Sequence, residues 1–99
     1  MNDDMDCKKI MFGEHSLRRM FDKQISPEDV LETVRSGDII KEYPEDKPYP
    51  SFLILKFVKR KAIHAVVALN NEKETCFIVT VYEPDPAMWS KDFKTRLYE

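Results

Sequence analysis

The chain has 99 residues, of which 42% are hydrophobic and 34% are charged, and its formal net charge is −2. This length predicts a single domain, residues 1–99, and the slightly acidic balance argues against broad, non-specific nucleic-acid binding. The sequence has neither an apolar run of membrane-spanning length nor a signal-peptide pattern, so we expect a soluble cytoplasmic protein without membrane contact. Residues 1–7 include an acidic start that we expect to be flexible.

The first predicted helix covers residues 14–23. Leu17, Met20 and Phe21 follow the i, i+3, i+4 spacing of an amphipathic helix, which predicts that these three side chains are buried. The polar residues then share the opposite face of the helix, namely His15, Arg18, Arg19 and Asp22.

A second helix is predicted after Ser26, which is a good N-cap residue, and Pro27 suits its first turn. Gly37 ends this helix in a position that tolerates left-handed geometry. The buried stripe of the second helix is predicted to consist of Val30, Leu31 and Val34.

The remainder of the chain predicts an antiparallel sheet of about four strands. A first short strand, residues 39–43, is followed by a loop in which three prolines prevent regular structure. A meander follows, with strands at residues 52–58, 62–69 and 75–82. The charged tail beyond it predicts a short helix or an extended arm, anchored to the core by Trp89.

The two cysteines, Cys7 and Cys76, lack the spacing of metal ligands, and no histidine and carboxylate cluster in the sequence has such spacing. We therefore expect neither a metal nor a cofactor. In a reducing compartment the two cysteines are expected to be free thiols rather than a disulfide.

The register of the meander depends on which face of the second strand is buried. Aligning the most uniformly apolar face of each strand predicts a three-residue loop at 59–61, which places Lys56 opposite His64. These faces consist of Leu53, Leu55 and Phe57 on the first strand of the meander and Ile63, Ala65, Val67 and Leu69 on the second.

A five-residue loop at 70–74 would place Thr80 opposite His64 on its other side, with Tyr82 two residues along. Lys56, His64 and Thr80 would then form a polar row across three strands. Such a row is typical of a functional site, but an exposed sheet face with ordinary cross-strand hydrogen bonds explains it equally well.

Five motifs in a fixed order resemble the domain-of-unknown-function 4258 family, from about residue 8 to residue 96. They are Phe12-x-x-His15-x-x-x-Arg19-Met20, residues 25–30, Gly37-x-Ile39-Ile40-x-x-Tyr43, Ile63-His64-Ala-Val-Val and Thr80-Val-Tyr82-Glu-Pro-Asp-Pro-x-x-Trp89, with Phe93-Lys-Thr-Arg96 following. The family is similar to the RelE/ParE-type bacterial toxins. The resemblance therefore implies an α+β fold with two N-terminal helices packed on the antiparallel sheet.

The resemblance also implies a function. It suggests the toxin of a toxin–antitoxin pair, an endoribonuclease that cleaves RNA, free or on the ribosome, and is bound by a cognate antitoxin of zinc-finger type. Two alternatives stay open: a non-catalytic protein-binding module on the same scaffold, and a gyrase-directed inhibitor of ParE type.

Metal-free phosphodiester cleavage needs a base, an acid and cations that stabilise the developing charge. The two histidines are the acid and base candidates and are predicted to face a shared cleft, with Arg19 and Lys56 stabilising charge. The catalytic set is therefore His64, His15, Arg19 and Lys56, and the substrate-binding set is Arg18, Thr80 and Tyr82.

Overall fold

A computed structural model describes residues 7–97 and contains two helices and five strands in these residues. The α+β class and both predicted helices are confirmed, whereas the flexible start falls on residues that, apart from Cys7, lie outside the described range. The elements are β1 (Lys9–Phe12), α1 (Glu14–Lys23), α2 (Pro27–Ser36), β2 (Asp38–Tyr43), β3 (Ser51–Val58), β4 (Lys61–Asn70) and β5 (Thr75–Tyr82).

The five strands form one mixed sheet in the order β1-β5-β4-β3-β2. Strands β2 to β5 are the expected antiparallel meander. Strand β1, which sequence reasoning missed, pairs in parallel with β5, and Lys9 lies opposite Thr75. The sheet therefore has five strands rather than about four, and it is not purely antiparallel.

The expectation of two free thiols is wrong in this structure, because Cys7 and Cys76 form a disulfide with Cα atoms 5.5 Å apart. The physical reason is β1, which brings the chain just after Cys7 alongside β5, where Cys76 pairs with Ile10. The bridge joins residues 69 positions apart and fastens the first strand to the last.

Both helices lie on one face of the sheet, α1 against β5 and α2 against β3 and β4. Helix residues Met20, Val30 and Val34 pack there against alternate residues of the strands. Only alternate residues meet the helices, because successive side chains of a strand point to opposite faces of the sheet. The strand members of this core include Ile54, Val58, Ile63, Ala65, Val67, Leu69, Ile78 and Val81.

Helix α1 buries a different stripe from the predicted one. Met20 is buried, but Leu17 and Phe21 are 48% and 84% exposed. Ser16 takes the inward position instead, and its hydroxyl donates to the carbonyl oxygen of Gly13 at 2.9 Å. Because this contact satisfies the hydroxyl, a small polar residue can lie against the sheet without the cost of an unpaired buried group.

Helix α2 begins as predicted, with the Ser26 side chain accepting from the Asp29 backbone N–H at 3.1 Å. Its end differs, because Gly37 has extended geometry, φ −78° and ψ 175°, rather than left-handed geometry. Glycine is needed there for space. An added Cβ would lie 2.5 Å from the Thr33 carbonyl oxygen and 2.7 Å from Ile54 Cγ2.

The predicted register of β3 and β4 is wrong by one residue. The turn between them has two residues, Lys59 and Arg60, with φ of 53° and 69°, so Leu55 lies opposite His64. Positive φ at both positions is typical of the tight hairpin turns that match strand twist. The sequence concealed this turn because neither residue is the glycine or asparagine that usually marks it.

A second register difference lies between β4 and β5. Their pairing starts at Asn70 and Thr75 and shifts at an irregularity between Val66 and Val67, so that His64 lies opposite Tyr82 rather than Thr80. A bulge of this kind adds one residue to one strand and re-aims the side chains beyond it.

The tail after β5 covers the sheet face that lies away from the helices. In its described part, up to Leu97, it forms neither a helix nor an extended arm. Trp89 and Arg96 form an isolated antiparallel bridge, and the Leu97 N–H donates to the Met88 carbonyl at 2.8 Å. Among residues 7–97, no helix is long and apolar enough to cross a membrane.

Candidate functional site

His64 is enclosed on the tail side of the sheet and has no exposed surface. Its neighbours Ile63 and Ala65 point to the helices, so alternation directs the imidazole to the other face. Nε2 lies 2.9 Å from the carbonyl oxygen of Phe93, and Nδ1 lies 3.3 Å from the hydroxyl of Tyr82. The imidazole therefore has a partner at each nitrogen.

The charge state of His64 follows from this environment. Burial lowers its pKa, and the hydrogen bond to the Phe93 carbonyl opposes that shift in part. A neutral imidazole satisfies both contacts when Nε2–H donates to Phe93 and Nδ1 accepts from the Tyr82 hydroxyl. This assignment rests on the hydrogen-bond geometry.

Aromatic contacts complete the enclosure of His64. The ring of Trp89 meets the imidazole edge-on with centroids 4.5 Å apart, and the ring of Tyr82 does so at 5.3 Å. His64 thus holds both Trp89 and the backbone of Phe93 against the sheet. The residues that follow Phe93 are positioned as a consequence, and His64 acts as an anchor for the tail.

A cavity of about 590 Å³ opens between this anchored tail and the edge of the sheet. We name it the cationic pocket because, among residues 7–97, three of its lining residues are Lys or Arg and none is acidic. The lining consists of Lys41, Tyr43, Leu53, Tyr82, Trp89, Lys94, Thr95 and Arg96.

Three separate parts of the chain contribute the polar groups of the cationic pocket. Lys41 and Tyr43 alternate along β2 and therefore share a face, with Lys41 Nζ 5.7 Å from the centre of the Tyr43 ring. Tyr82 comes from the end of β5. Lys94 and Arg96 come from the tail, where the Ser90 N–H donates to the Thr95 carbonyl at 2.8 Å.

Tyr82 is the titratable group that links the pocket to the anchor. Burial raises the pKa of its phenol, and the neighbouring Tyr43 raises it further, while the charge of Arg96 acts in the opposite direction. The hydroxyl therefore stays protonated at neutral pH and serves as a hydrogen-bond donor.

A model of the family described as "Domain of unknown function (DUF4258)" matches residues 12–83. The chain belongs to the DUF4258 family. No curated protein and no solved structure matches it. The DUF4258 match ends one residue beyond Tyr82, so it includes the strand side of the cationic pocket and leaves out the tail side, including Lys94 and Arg96.

The structure of this DUF4258 protein does not bring the two histidines together. His15 lies on α1, exposed beside a shallow depression that Glu14 and Arg18 also line, on the helix side of the sheet. Arg19 is exposed on the same helix. The prediction of a shared cleft is wrong, because His64 points to the other face.

The predicted polar row is not formed either. Lys56 lies opposite Ile63, and Thr80 lies opposite Val66. The Thr80 hydroxyl is buried and has no hydrogen-bond partner within residues 7–97. Of the seven residues predicted for the site, only Tyr82 lines the cationic pocket.

Sequence reasoning missed most of the pocket. Tyr43, Trp89 and Arg96 belong to the motifs that carried the family resemblance, and this was the available signal. No signal in the sequence marked Lys41 or Lys94, because an isolated lysine on a strand or in a charged tail is common on protein surfaces. The described residues contain no group of three or more His, Cys, Asp or Glu side chains placed to hold a metal ion.

Proposed function

We propose that this DUF4258 protein is a toxin of the RelE/ParE type that binds single-stranded RNA in the cationic pocket and cleaves it. The supporting observation is the convergence of three cations and three aromatic rings on one cavity, whose lining within the described part of the chain includes no carboxylate. Cations bind phosphates, and aromatic side chains stack on bases that are not paired.

The pocket chemistry suits RNA better than an isolated phosphate. Lys41 and Lys94 act as point charges toward phosphate oxygens, and Arg96 adds a third positive charge to the lining. Tyr43, Tyr82 and Trp89 supply aromatic surface, which an inorganic anion does not need. A ligand that carries both phosphate and aromatic bases uses every part of this lining.

The proposed reaction is an internal transfer at one phosphate. The ribose 2′-oxygen forms a bond to phosphorus and the bond from phosphorus to the 5′-oxygen breaks, which leaves a 2′,3′-cyclic phosphate. The Tyr82 hydroxyl turns from His64 Nδ1 to the leaving 5′-oxygen and gives it its proton, and solvent returns a proton to the phenolate after cleavage. The cations stabilise the charge that develops on the phosphate. Water takes the 2′-proton, since the lining residues that the structure describes include neither a carboxylate nor an imidazole.

This assignment changes the roles that the sequence predicted. His64 becomes a positioning residue, because both of its nitrogens have partners and it has no exposed surface. His15, Arg18 and Arg19 lie on the helix side and take no part. Tyr82 keeps its place in the site and becomes the proton donor.

The toxin assignment carries further proposals. With the toxin assignment we also propose a cognate antitoxin, of zinc-finger type, and a cytoplasmic location where RNA and ribosomes are found. The Cys7–Cys76 disulfide is unusual for that compartment. A toxin can nonetheless act there after reduction, because the disulfide lies at β1, the sheet edge opposite β2 and its pocket residues.

Two alternatives use the same scaffold without cleavage. A binding module would engage a partner through an edge strand, β1 or β2, and a gyrase inhibitor would act through protein contacts. The cationic pocket favours RNA over both, since neither alternative needs three cations around aromatic rings.

The test measures RNA binding and cleavage with the full chain. A fluorescent single-stranded RNA is titrated with wild type, Lys41→Gln, Lys94→Gln and Arg19→Gln at several salt concentrations. Wild-type affinity should fall with salt, and each pocket variant should bind more weakly with a salt slope smaller by about 0.7. Arg19→Gln removes the same charge outside the pocket and should match wild type.

Cleavage is then followed with and without ribosomes and with EDTA. We expect a cyclic phosphate product, a rate that rises with pH while Tyr82 stays protonated, and a loss of about 10²–10⁴-fold in Tyr82→Phe. Tyr43→Phe is the matched control. Unchanged binding in both lysine variants would refute RNA binding in the cationic pocket. Intact binding without cleavage in any condition would favour the binding module.

A further inference from the structure

A second cavity of about 410 Å³ adjoins the cationic pocket. Lys94 lines both cavities, so the two are neighbours along the tail. We name the second cavity the Phe57 groove. Its lining consists of Ser36, Gly37, Asp38, Leu55, Lys56, Phe57, Asp92 and Lys94.

The charge of the Phe57 groove differs from that of the cationic pocket. The lining includes two carboxylates, Asp38 and Asp92, and two lysines, Lys56 and Lys94, so the formal charges cancel. Asp92 is held ionised, because hydrogen bonds from the Ser90 hydroxyl and the Lys94 backbone N–H lower its pKa. These carboxylates would repel a second phosphate, whereas they would not repel a neutral group.

The groove also has an aromatic wall. The Phe57 side chain is 53% exposed at the end of β3, and its ring meets that of Phe93 at a centroid distance of 6.0 Å and an angle of 61°. Phe93 is itself fixed, since its N–H donates to the Ser90 carbonyl and its carbonyl accepts from His64. Phe57 therefore presents an exposed ring, held against Phe93, beside a cavity whose formal charges cancel.

We propose that the Phe57 groove is a nucleobase subsite, which stacks a base on Phe57 while a phosphate of the same strand lies in the cationic pocket. This inference rests on the proposed RNA binding, and it assigns a base of the RNA to the groove and a phosphate to the cationic pocket. Lys94, at the junction, contacts the phosphate that connects the two. The carboxylates accept hydrogen bonds from exocyclic amino groups, so adenine, cytosine and guanine bind better than uracil.

The test compares Phe57→Ala and Phe57→Tyr with Phe21→Ala, which removes an even more exposed phenylalanine on α1. Each variant is first checked for an unchanged melting temperature. Phe57→Ala should weaken binding of single-stranded RNA about 5- to 100-fold, as loss of one stacked base does. Phe57→Tyr and Phe21→Ala should bind like wild type.

Two further ligands separate the groove from the pocket. Inorganic polyphosphate, which has no bases, should bind Phe57→Ala as well as it binds wild type and should lose affinity in Lys41→Gln. Among homopolymers, oligo(A) and oligo(C) should bind more tightly than oligo(U), and Asp38→Asn with Asp92→Asn should reduce that difference.

The outcomes are distinguishable. If Phe57→Ala binds RNA like wild type while Lys41→Gln does not, the subsite is refuted and the proposed function stands. If Phe57→Ala weakens polyphosphate as much as RNA, Phe57 acts on the shape of the pocket and the subsite is refuted. If wild type binds no RNA, both the proposed function and the subsite are refuted.

Discussion

The imidazole of His64 and the backbone carbonyl of Phe93, 29 residues apart in sequence, meet at 2.9 Å between the sheet and the tail. This contact makes the position of Lys94, Thr95 and Arg96 depend on a residue in β4. The half of the cationic pocket that the tail supplies therefore depends on a neutral, buried histidine.

Stability should fall as the pH drops through the mildly acidic range. In the unfolded chain the pKa of His64 is about 6.5, whereas burial lowers this pKa in the folded state. The unfolded state therefore binds more protons below that pH, and stability is lost until the pH lies below the folded pKa. Urea denaturation of wild type and His64→Gln from about pH 7.5 to about pH 5 measures the effect.

His15→Gln is the matched control for this prediction, because it removes the only other histidine. We expect His64→Gln to be less stable than wild type at neutral pH and to have the flatter profile. His15→Gln should keep the wild-type profile. Equal slopes in wild type and His64→Gln would show that the imidazole is not the group responsible.

Gly37→Ala should destabilise the fold by about 1–3 kcal/mol, the usual cost of forcing atoms into a packed site. Its Cβ would lie 2.5 Å from the Thr33 carbonyl and 2.7 Å from the Leu55 carbonyl, and both are backbone groups that cannot rotate away. Gly13→Ala is the control, since its Cβ would meet nothing closer than 3.9 Å. We expect Gly13→Ala to lower the free energy of unfolding by less than about 1 kcal/mol, because alanine is a weaker N-cap residue than glycine. Thermal unfolding compares them, and similar losses would contradict the steric argument.

Arg60→Gly should stabilise the protein, because the residue has a φ of 69° that glycine adopts without steric cost. We expect a gain of about 0.5–1 kcal/mol, which raises the melting temperature of a domain of this size by about 2–8 °C. Arg60→Ala removes the same side-chain charge but keeps a Cβ, so it should give no gain. A gain of equal size in both variants would assign the effect to charge.

Cys7→Ser should lower stability by about 2–4 kcal/mol, the usual contribution of a disulfide that closes a long loop. RNA binding should be unchanged, since β1 and the pocket strand β2 lie at opposite edges of the sheet. Denaturant unfolding with and without reductant gives the stability difference. The control is a thiol count on unreduced, denatured wild type, where two reactive thiols would contradict the disulfide.

Local signals in the sequence were sufficient for the helices. The second helix begins at Pro27 because Ser26 caps it, and both residues are visible in the sequence. The buried stripe of α1 was misassigned because Ser16, not Leu17, lies against the sheet, and only the partner surface determines that choice. Periodicity established that the helix exists, while tertiary contacts set its rotation.

The register could not be predicted because β3 is buried on both faces. Leu53 and Leu55 are covered from the tail side and Ile54 from the helix side, so apolar alternation gave no preference. The cationic pocket could not be predicted for a different reason. Its groups come from β2, β5 and the tail, and no spacing within one segment indicates that they meet.

The parallel pairing of β1 with β5 has a consequence for biosynthesis. Lys9–Phe12 leaves the ribosome before the other four strands described, but its partner strand is complete only when Tyr82 has been added. The intervening strands can pair in the order in which they are made. We therefore expect the β1 edge to close last, and a nascent chain stalled before β5 to expose both an unpaired strand and a lone Cys7, the state in which edge-to-edge association is most favoured.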